Sequence, residues 1–202
     1  MPIASEIEPV SPRISIWRCY DRSVKADLFS TALETASGTY LIDPIPLAPV
    51  ALASLASRTT IAGIVVTNEN HERAAAQFSA KFKVPVYLNV ALSTTTRLPS
   101  VAAIQGLAPE LTPVEIEGGP AGETAIHFAG SGGTMVIGDA LINFEPYGFA
   151  LLPAKYCSNF KVMRRSLARL LDYSFDRMLF AHGLPVLSHA RERLEQLMKE
   201  HR

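Results

Sequence analysis

Four places in this 202-residue chain put a carboxylate or an imidazole just after an apolar run. Gly38-Thr-Tyr-Leu-Ile leads into Asp43. Ile61-Ala-Gly-Ile-Val-Val-Thr67 leads into Asn68-Glu69-Asn70-His71-Glu72-Arg73. Thr134-Met-Val-Ile-Gly138 leads into Asp139, and Arg177-Met-Leu-Phe-Ala181 leads into His182. Carboxylates and imidazoles serve as general acids and bases and as ligands of divalent ions. Sites in layered α/β proteins gather at strand ends. Taken one at a time, a polar residue after a strand reads as a turn residue. Asp139 and His182 are the best candidates for site positions, because both end apolar strands. Asp43 reads as structural, a carboxylate accepting backbone hydrogen bonds beside the site. Glu72 reads as a first-turn carboxylate favoured by a helix dipole, or as a site group. For His71 two readings stand: a solvent-facing residue at a helix start, or an inward-turned ligand or general base.

Other reactive side chains read as bland. His127 lies inside a strand and reads as a packed or exposed strand histidine rather than a ligand. Cys157 stands in Tyr156-Cys-Ser-Asn159 without the neighbours of a nucleophile motif, so it reads as an idle thiol. Gly130-Ser-Gly-Gly133 lacks the Lys-Ser/Thr ending of a phosphate loop and reads as a hairpin turn.

The elements that must position these groups follow from the hydrophobic pattern. Residues 13 to 19 alternate as a half-buried strand, and 27 to 35 and 38 to 43 read as two more, joined by a turn at Ala36-Ser-Gly38. Leu47 to Arg58 is rich in Ala and Leu and reads as a helix behind Pro44 and Pro46. Residues 61 to 67 read as a strand buried on both faces. A helix over Ala74 to Phe82 and a strand over Val84 to Leu88 complete a strand–helix–strand unit. Residues 89 to 112 show no clear period. Strands are expected at 114 to 117, 124 to 128 and 134 to 138. An amphipathic helix over Met163 to Asp172, a strand over 177 to 181 and a charged helix from Val186 to Arg202 close the chain. The expectation is one domain over residues 1–202, with two packed sheets and helices outside.

Composition removes several function classes. The chain is 48% hydrophobic and 19% charged, too apolar for a disordered protein. Its 19 basic and 19 acidic side chains cancel. That balance argues against nucleic acid as a partner and offers no attraction to an anionic membrane. The two cysteines, Cys19 and Cys157, are far apart and form no disulfide framework or four-cysteine zinc site. The N-terminus lacks the basic and apolar regions of a signal peptide, and no run reaches the ~18 apolar residues of a membrane span. A cytoplasmic protein is the expectation, with a small-molecule ligand and a homodimer open as partners.

The order of these clusters resembles the metallo-β-lactamase superfamily over roughly residues 13 to 190. The resemblance implies an αββα sandwich. In that family a strand ends in Asp, a later strand runs into Thr-His-x-His-x-Asp-His, a glycine-led His follows, then a Gly-Asp pair, then a His-Gly. Gly38 to Asp43 looks like the first, Gly138-Asp139 like the metal-bridging carboxylate, and Ala181-His182-Gly183 like the last histidine. The central motif departs. Aligned on Thr67, the two histidines of the first metal become Asn68 and Asn70, the aspartate becomes Glu72, and the last histidine becomes Arg73. His71 falls on a variable position, and Gly118 to Glu123 supplies no histidine.

The resemblance therefore implies hydrolase ancestry with most metal ligands replaced. A neutral Asn oxygen is a poor zinc ligand, so no metal is expected at the first site. Arg73 is expected to act as a surrogate cation, paired with Asp139 or Glu72. The leading expectation is a protein that works without metal or binds a small molecule in the old cleft. The alternative is an ester or thioester hydrolase with one divalent ion (zinc, manganese or iron) on Glu72, Asp139 and His182, assisted by His71. A metal-free enzyme with His182 as general base oriented by Asp139, and an interaction module, are the remaining readings.

Overall fold

The structure, a computed structural model, describes residues 2–201. Its strands are β1 (Glu8–Ser11), β2 (Ile14–Asp21), β3 (Ala26–Thr35), β4 (Gly38–Ile42), β5 (Ile61–Val65), β6 (Val86–Leu88), β7 (Val101–Ala103), β8 (Leu111–Glu115), β9 (Thr124–Phe128), β10 (Thr134–Ile137), β11 (Leu141–Phe144), β12 (Gly148–Leu151) and β13 (Arg177–Phe180). The α-helices are α1 (Pro49–Arg58), α2 (Ala75–Phe82), α3 (Phe160–Ala168) and α4 (Ala190–Glu200). Strands β1 to β7 form one sheet in chain order. A second sheet runs β13-β10-β9-β8, and β11-β12 is a separate hairpin.

Three apolar clusters define the layers. Between the sheets, Phe29, Leu33 and Val65 of the first meet Ile126, Phe128 and Leu179 of the second. Leu55 of α1 and Phe78 of α2 pack on the outer face of the first sheet. Met163 and Leu167 of α3 and Leu194 of α4 cover the outer face of the second. The result is an α/β/β/α sandwich, as the αββα resemblance implies. A strand buried on both faces needs apolar residues at successive positions, which is why β5 carries no alternation.

Register explains why the site residues converge. β4 and β5 are parallel, with Ile42 beside Val65, so Asp43 and Thr67 leave the sheet at the same end. β10 and β13 are also parallel, with Ile137 beside Phe180. Asp139 and His182 each lie two residues beyond that pair. The sheets touch at this edge, where Phe29 N donates to Ala181 O at 2.9 Å. The Arg73 guanidinium closes the seam. Its Nη1 donates to Phe29 O at 2.6 Å and Asp43 O at 3.0 Å, and its Nη2 to Ala181 O at 3.3 Å.

Several elements differ from the sequence reading. The last helix begins at Ala190 rather than Val186, because Val186 exchanges backbone hydrogen bonds with Met178 and is held extended. The helix near 163 begins three residues earlier, at Phe160, where Asn159 caps Val162 N. Residues 89 to 112 contain β7, which joins β6 in parallel. β1 and the β11–β12 hairpin were also not legible, since each is short and finds its hydrogen bonds only in the folded chain.

Removing the guanidinium takes one donor from each of three inward-facing carbonyls, of which Asp43 O keeps Ser30 Oγ and Ala181 O keeps Phe29 N. We expect Arg73→Met to lower the unfolding free energy in urea by about 2 kcal/mol or more; a loss below about 0.5 kcal/mol would show that the seam does not depend on it. Gly183, next to His182, holds φ +108°, and an added Cβ would lie 2.2 Å from Asn143 O. Gly183→Ala should therefore also cost about 2 kcal/mol, and a near-neutral melting temperature would contradict that geometry.

Candidate functional site

Asp43 anchors the site. It is 2% exposed, and its backbone takes a left-handed φ of +48°. Thr67 N donates to Oδ1 at 2.9 Å and Thr67 Oγ1 to Oδ2 at 2.6 Å. His71 Nδ1 lies 3.0 Å from the same Oδ2. A carboxylate at one ring nitrogen fixes the proton there and turns the other nitrogen outward as a lone-pair donor. The structural role read for Asp43 thus extends to orienting a histidine.

His71 faces inward and is buried, which overturns its solvent-facing reading. It sits in a short 3₁₀ turn, Glu69–His71, that begins at Asn68, whose Oδ1 accepts from Asn70 N at 2.9 Å. That turn sets the side-chain directions. His71 Nε2 approaches His182 Nε2 at 3.3 Å and Asp139 Oδ1 at 3.2 Å, while His182 Nε2 lies 3.4 Å from the same oxygen. Among the described residues, His71, Asp139 and His182 form the cluster that could hold a metal ion.

Glu72, expected in that cluster, is not brought to it. Its Oε1 accepts from Thr96 Oγ1 at 2.5 Å. The α2 helix starts three residues on, at Ala75 behind Ala74, and Glu72 has already turned from the site. The expected pairing of Arg73 with Asp139 or Glu72 is also not formed. Its guanidinium is committed to backbone carbonyls, so its charge reaches Asp43 and Asp139 only through space.

Asn68 and Asn70, which the resemblance set at former ligand positions, both turn to Asp139. Asn68 Nδ2 donates to Asp139 Oδ2 at 3.2 Å, and Asn70 Nδ2 to the same oxygen at 3.3 Å. Two amides thus occupy one oxygen of Asp139, while the other faces the histidines. Sequence reasoning missed Glu123. This carboxylate is 1% exposed and lies where the Gly118–Gly122 loop enters β9. It accepts from Asn68 Nδ2 at 2.6 Å, from Asp139 N at 2.9 Å and from Ala140 N at 3.1 Å. A lone acid at the close of a glycine-rich loop, just before a strand, was the available signal.

Charge follows this packing. Burial alone would push His71 down, but the Asp139 and Asp43 carboxylates outweigh it and hold it at about 9. Burial and the neighbouring His71 push His182 down to about 3. Burial pushes Asp139 up, yet His71 and His182 outweigh it and hold it well below the usual carboxylate range. Burial and the Asp139 charge push Glu123 up to about 7. Without a bound cation, His71 is therefore the positive centre and His182 a neutral base.

The other candidates stay outside the cluster. His127 Nε2 lies 2.9 Å from Ser174 O and its ring meets Tyr173, as expected of strand packing. The Cys157 thiol sits against Leu152 O, Pro153 O and Met163 Sδ. Gly130 to Gly133 turns β9 into β10, the hairpin that was expected. No helix among the described residues is long and apolar enough to cross a membrane.

Similarity to known proteins agrees with this fold. The chain matches the family model of the metallo-beta-lactamase superfamily over residues 10–200. No curated protein sequence matches it. Among solved structures, DIM-1 metallo-beta-lactamase is similar at TM-score 0.70 and 14% identity, covering 100% of this chain and 99% of that one. A metallo-beta-lactamase from Erythrobacter litoralis, with beta mercaptoethanol in its active site, aligns at TM-score 0.73 and 14% identity over 96% of each chain. FIM-1 from Pseudomonas aeruginosa, in its mono-zinc form, aligns at TM-score 0.69 and 10% identity over 99% of this chain and 96% of that one. Identities this low establish a shared fold; the family model, spanning nearly all of the sequence, establishes that this chain belongs to the metallo-beta-lactamase superfamily.

Proposed function

We propose that this protein is a hydrolase of the ester or thioester type that holds one divalent cation on His71, Asp139 and His182. The observation that carries this reading is the triangle of lone-pair atoms at 3.2, 3.3 and 3.4 Å. Donors on a tetrahedron with bonds of ~2.0–2.1 Å lie about 3.3 Å apart, so the spacing suits zinc. The donor set, two imidazoles and one carboxylate, also suits iron. The Asp43 carboxylate behind His71 Nδ1 is the partner that such a ligand needs. The mono-zinc form of FIM-1 supports one zinc as a workable occupancy for this fold. The set differs from the one expected from sequence in that His71 takes the place assigned to Glu72.

When bound, a divalent cation polarises a carbonyl and lowers the pKa of its water. The chain's own groups do the rest. Asp43 and Thr67 hold the His71 ring in one tautomer. Asn68 and Asn70 fix the Asp139 carboxylate so that Oδ1 faces the histidines. Glu123 ties the backbone of residues 139 and 140 beneath it.

A second reading is favoured by the position of His71 between Asp43 and Asp139. A proton on that ring satisfies both carboxylates without any metal, and the protein then binds a small molecule in the same cleft.

Elemental mass spectrometry on untagged protein separates the two. We expect about one ion per chain after loading with zinc, manganese or iron. His71→Ala, Asp139→Ala and His182→Ala should each lose it, and Glu72→Gln should keep it. No ion under any loading would overturn the metal reading.

The proton reading has its own signature in the metal-stripped protein. A folded pKa of about 9 against 6.5 unfolded means that His71 contributes its full stabilisation below pH 6.5 and loses it as pH rises through 9. Glu123 is half ionised near pH 7 and largely ionised by pH 8, and its proton loss lowers stability in the same direction. The unfolding free energy should therefore fall between pH 7 and 9, by up to about 3 kcal/mol. His71→Gln should flatten this slope; an equally steep slope in that variant would assign it elsewhere.

A further inference from the structure

The floor of the site opens into a cleft of about 620 Å³. Pockets for drug-sized ligands run from ~300 to ~1,000 Å³, so a small organic molecule fits. Asp139, His182 and Asn70 form its polar end. Its walls come from three separate parts of the chain. The β2–β3 turn contributes Val24. The β11–β12 hairpin contributes Ile142, Phe144 and Tyr147. The segment after β12, with Pro153 and Tyr156, closes the far side.

Two features of these walls bear on the ligand. First, apolar surface is left facing solvent here. Val24, Tyr147 and Tyr156 are 54%, 54% and 59% exposed, and all three line this one cleft. Large apolar side chains gathered around a concave site mark a surface kept for a partner. The Phe144 and Tyr147 rings are braced edge to face, 5.7 Å between centroids and at 81°, so this wall is shaped before any ligand arrives.

Second, the lining contains no lysine or arginine. Lys155 adjoins Tyr156 in sequence, yet its Nζ lies 4.7 Å from the Tyr156 ring centre and it lines the neighbouring depression under the Gly118–Gly122 loop. Arg73 is spent on three carbonyls at the seam. Arg22 and Lys25 flank Val24 on the β2–β3 turn but neither lines the cleft, so a negative charge lying against Ile142, Phe144 and Leu152 would give up hydration with no cationic side chain among the lining residues to replace it.

We propose that the cleft selects carbonyl compounds whose acyl or aryl portion is uncharged and apolar, with aromatic groups favoured. It turns away compounds that carry an anion along the walls. This rests on the reading of His71, Asp139 and His182 as the reacting end. The carbonyl lies at that end and the apolar portion runs past Ile142 towards Tyr147 and Tyr156.

The test uses the whole protein and two matched, slowly hydrolysed probes. One is N-phenylhexanamide. The other is the same amide with a 4-sulfonate on its ring, an anion that is a poor metal ligand. Binding is read by ligand-observed NMR titration, with and without prior chelation, beside the measured metal content. We expect the neutral amide to bind at least tenfold tighter than the sulfonate. Tyr147→Asp and Val24→Asp, both at exposed positions, should weaken the neutral amide by about tenfold without changing metal content or melting temperature. Equal or tighter binding of the sulfonate would overturn the proposal, and so would unchanged affinity in both variants. The two readings fail separately. Selective amide binding to a protein that takes up no ion would leave the cleft assignment standing and remove the metal. A bound ion with no selectivity between the probes would do the reverse.

Discussion

A carboxylate buried at 2% exposure must be surrounded by donors, and Asp43 shows how much structure that requirement commands. It draws Thr67 from the end of β5 through two hydrogen bonds and takes the Nδ1 side of His71. The His71 ring is thereby fixed with Nε2 towards Asp139 and His182. The chain adopts a left-handed φ at Asp43 itself to place the group. Loss of this one acceptor would leave a buried imidazole and a buried hydroxyl without orientation, and the three-atom cluster would no longer be defined.

Asp139 is divided between two kinds of partner. Asn68 and Asn70 occupy Oδ2 with neutral amide donors, while Oδ1 faces the two imidazoles. The resemblance read from the sequence set Asn68 and Asn70 where the family motif has histidines. Here they contribute N–H groups instead of lone pairs. Donors beside a carboxylate satisfy it without demanding a cation. Glu123 supports the same design from below, because its carboxylate ties Asn68 to the backbone of Asp139 and Ala140.

Arg73 illustrates a limit of reading charge from a motif. Next to Glu72 in sequence and expected near Asp139 in the site, a guanidinium suggests an ion pair. In the folded chain it meets three carbonyls where the two sheets join, adding charge-assisted donors to Asp43 O and Ala181 O, which also accept from Ser30 Oγ and Phe29 N of β3, and to Phe29 O. A planar fork of donors suits that task better than a point charge would.

Much of the architecture was legible in the residues. The β-branched run of β5, the alternation of β2, the hairpin glycines at 130 to 133 and the helices over 49–58 and 75–82 follow from local pattern, because each buries a face that its own sequence defines. Asp43, Asp139 and His182 were legible too, as polar residues ending apolar strands. The inward turn of His71, the departure of Glu72 to Thr96 and the role of Glu123 were not. Side-chain direction in the 68–73 loop depends on a single 3₁₀ turn capped by Asn68, and one residue of rotation exchanges which group points at the site. Sequence by itself determined which donor types were present and that they lay at strand ends. Only the tertiary structure decided which of them face one another, because that choice depends on the register of two parallel strand pairs and on the buried Asp43 that turns one ring inward.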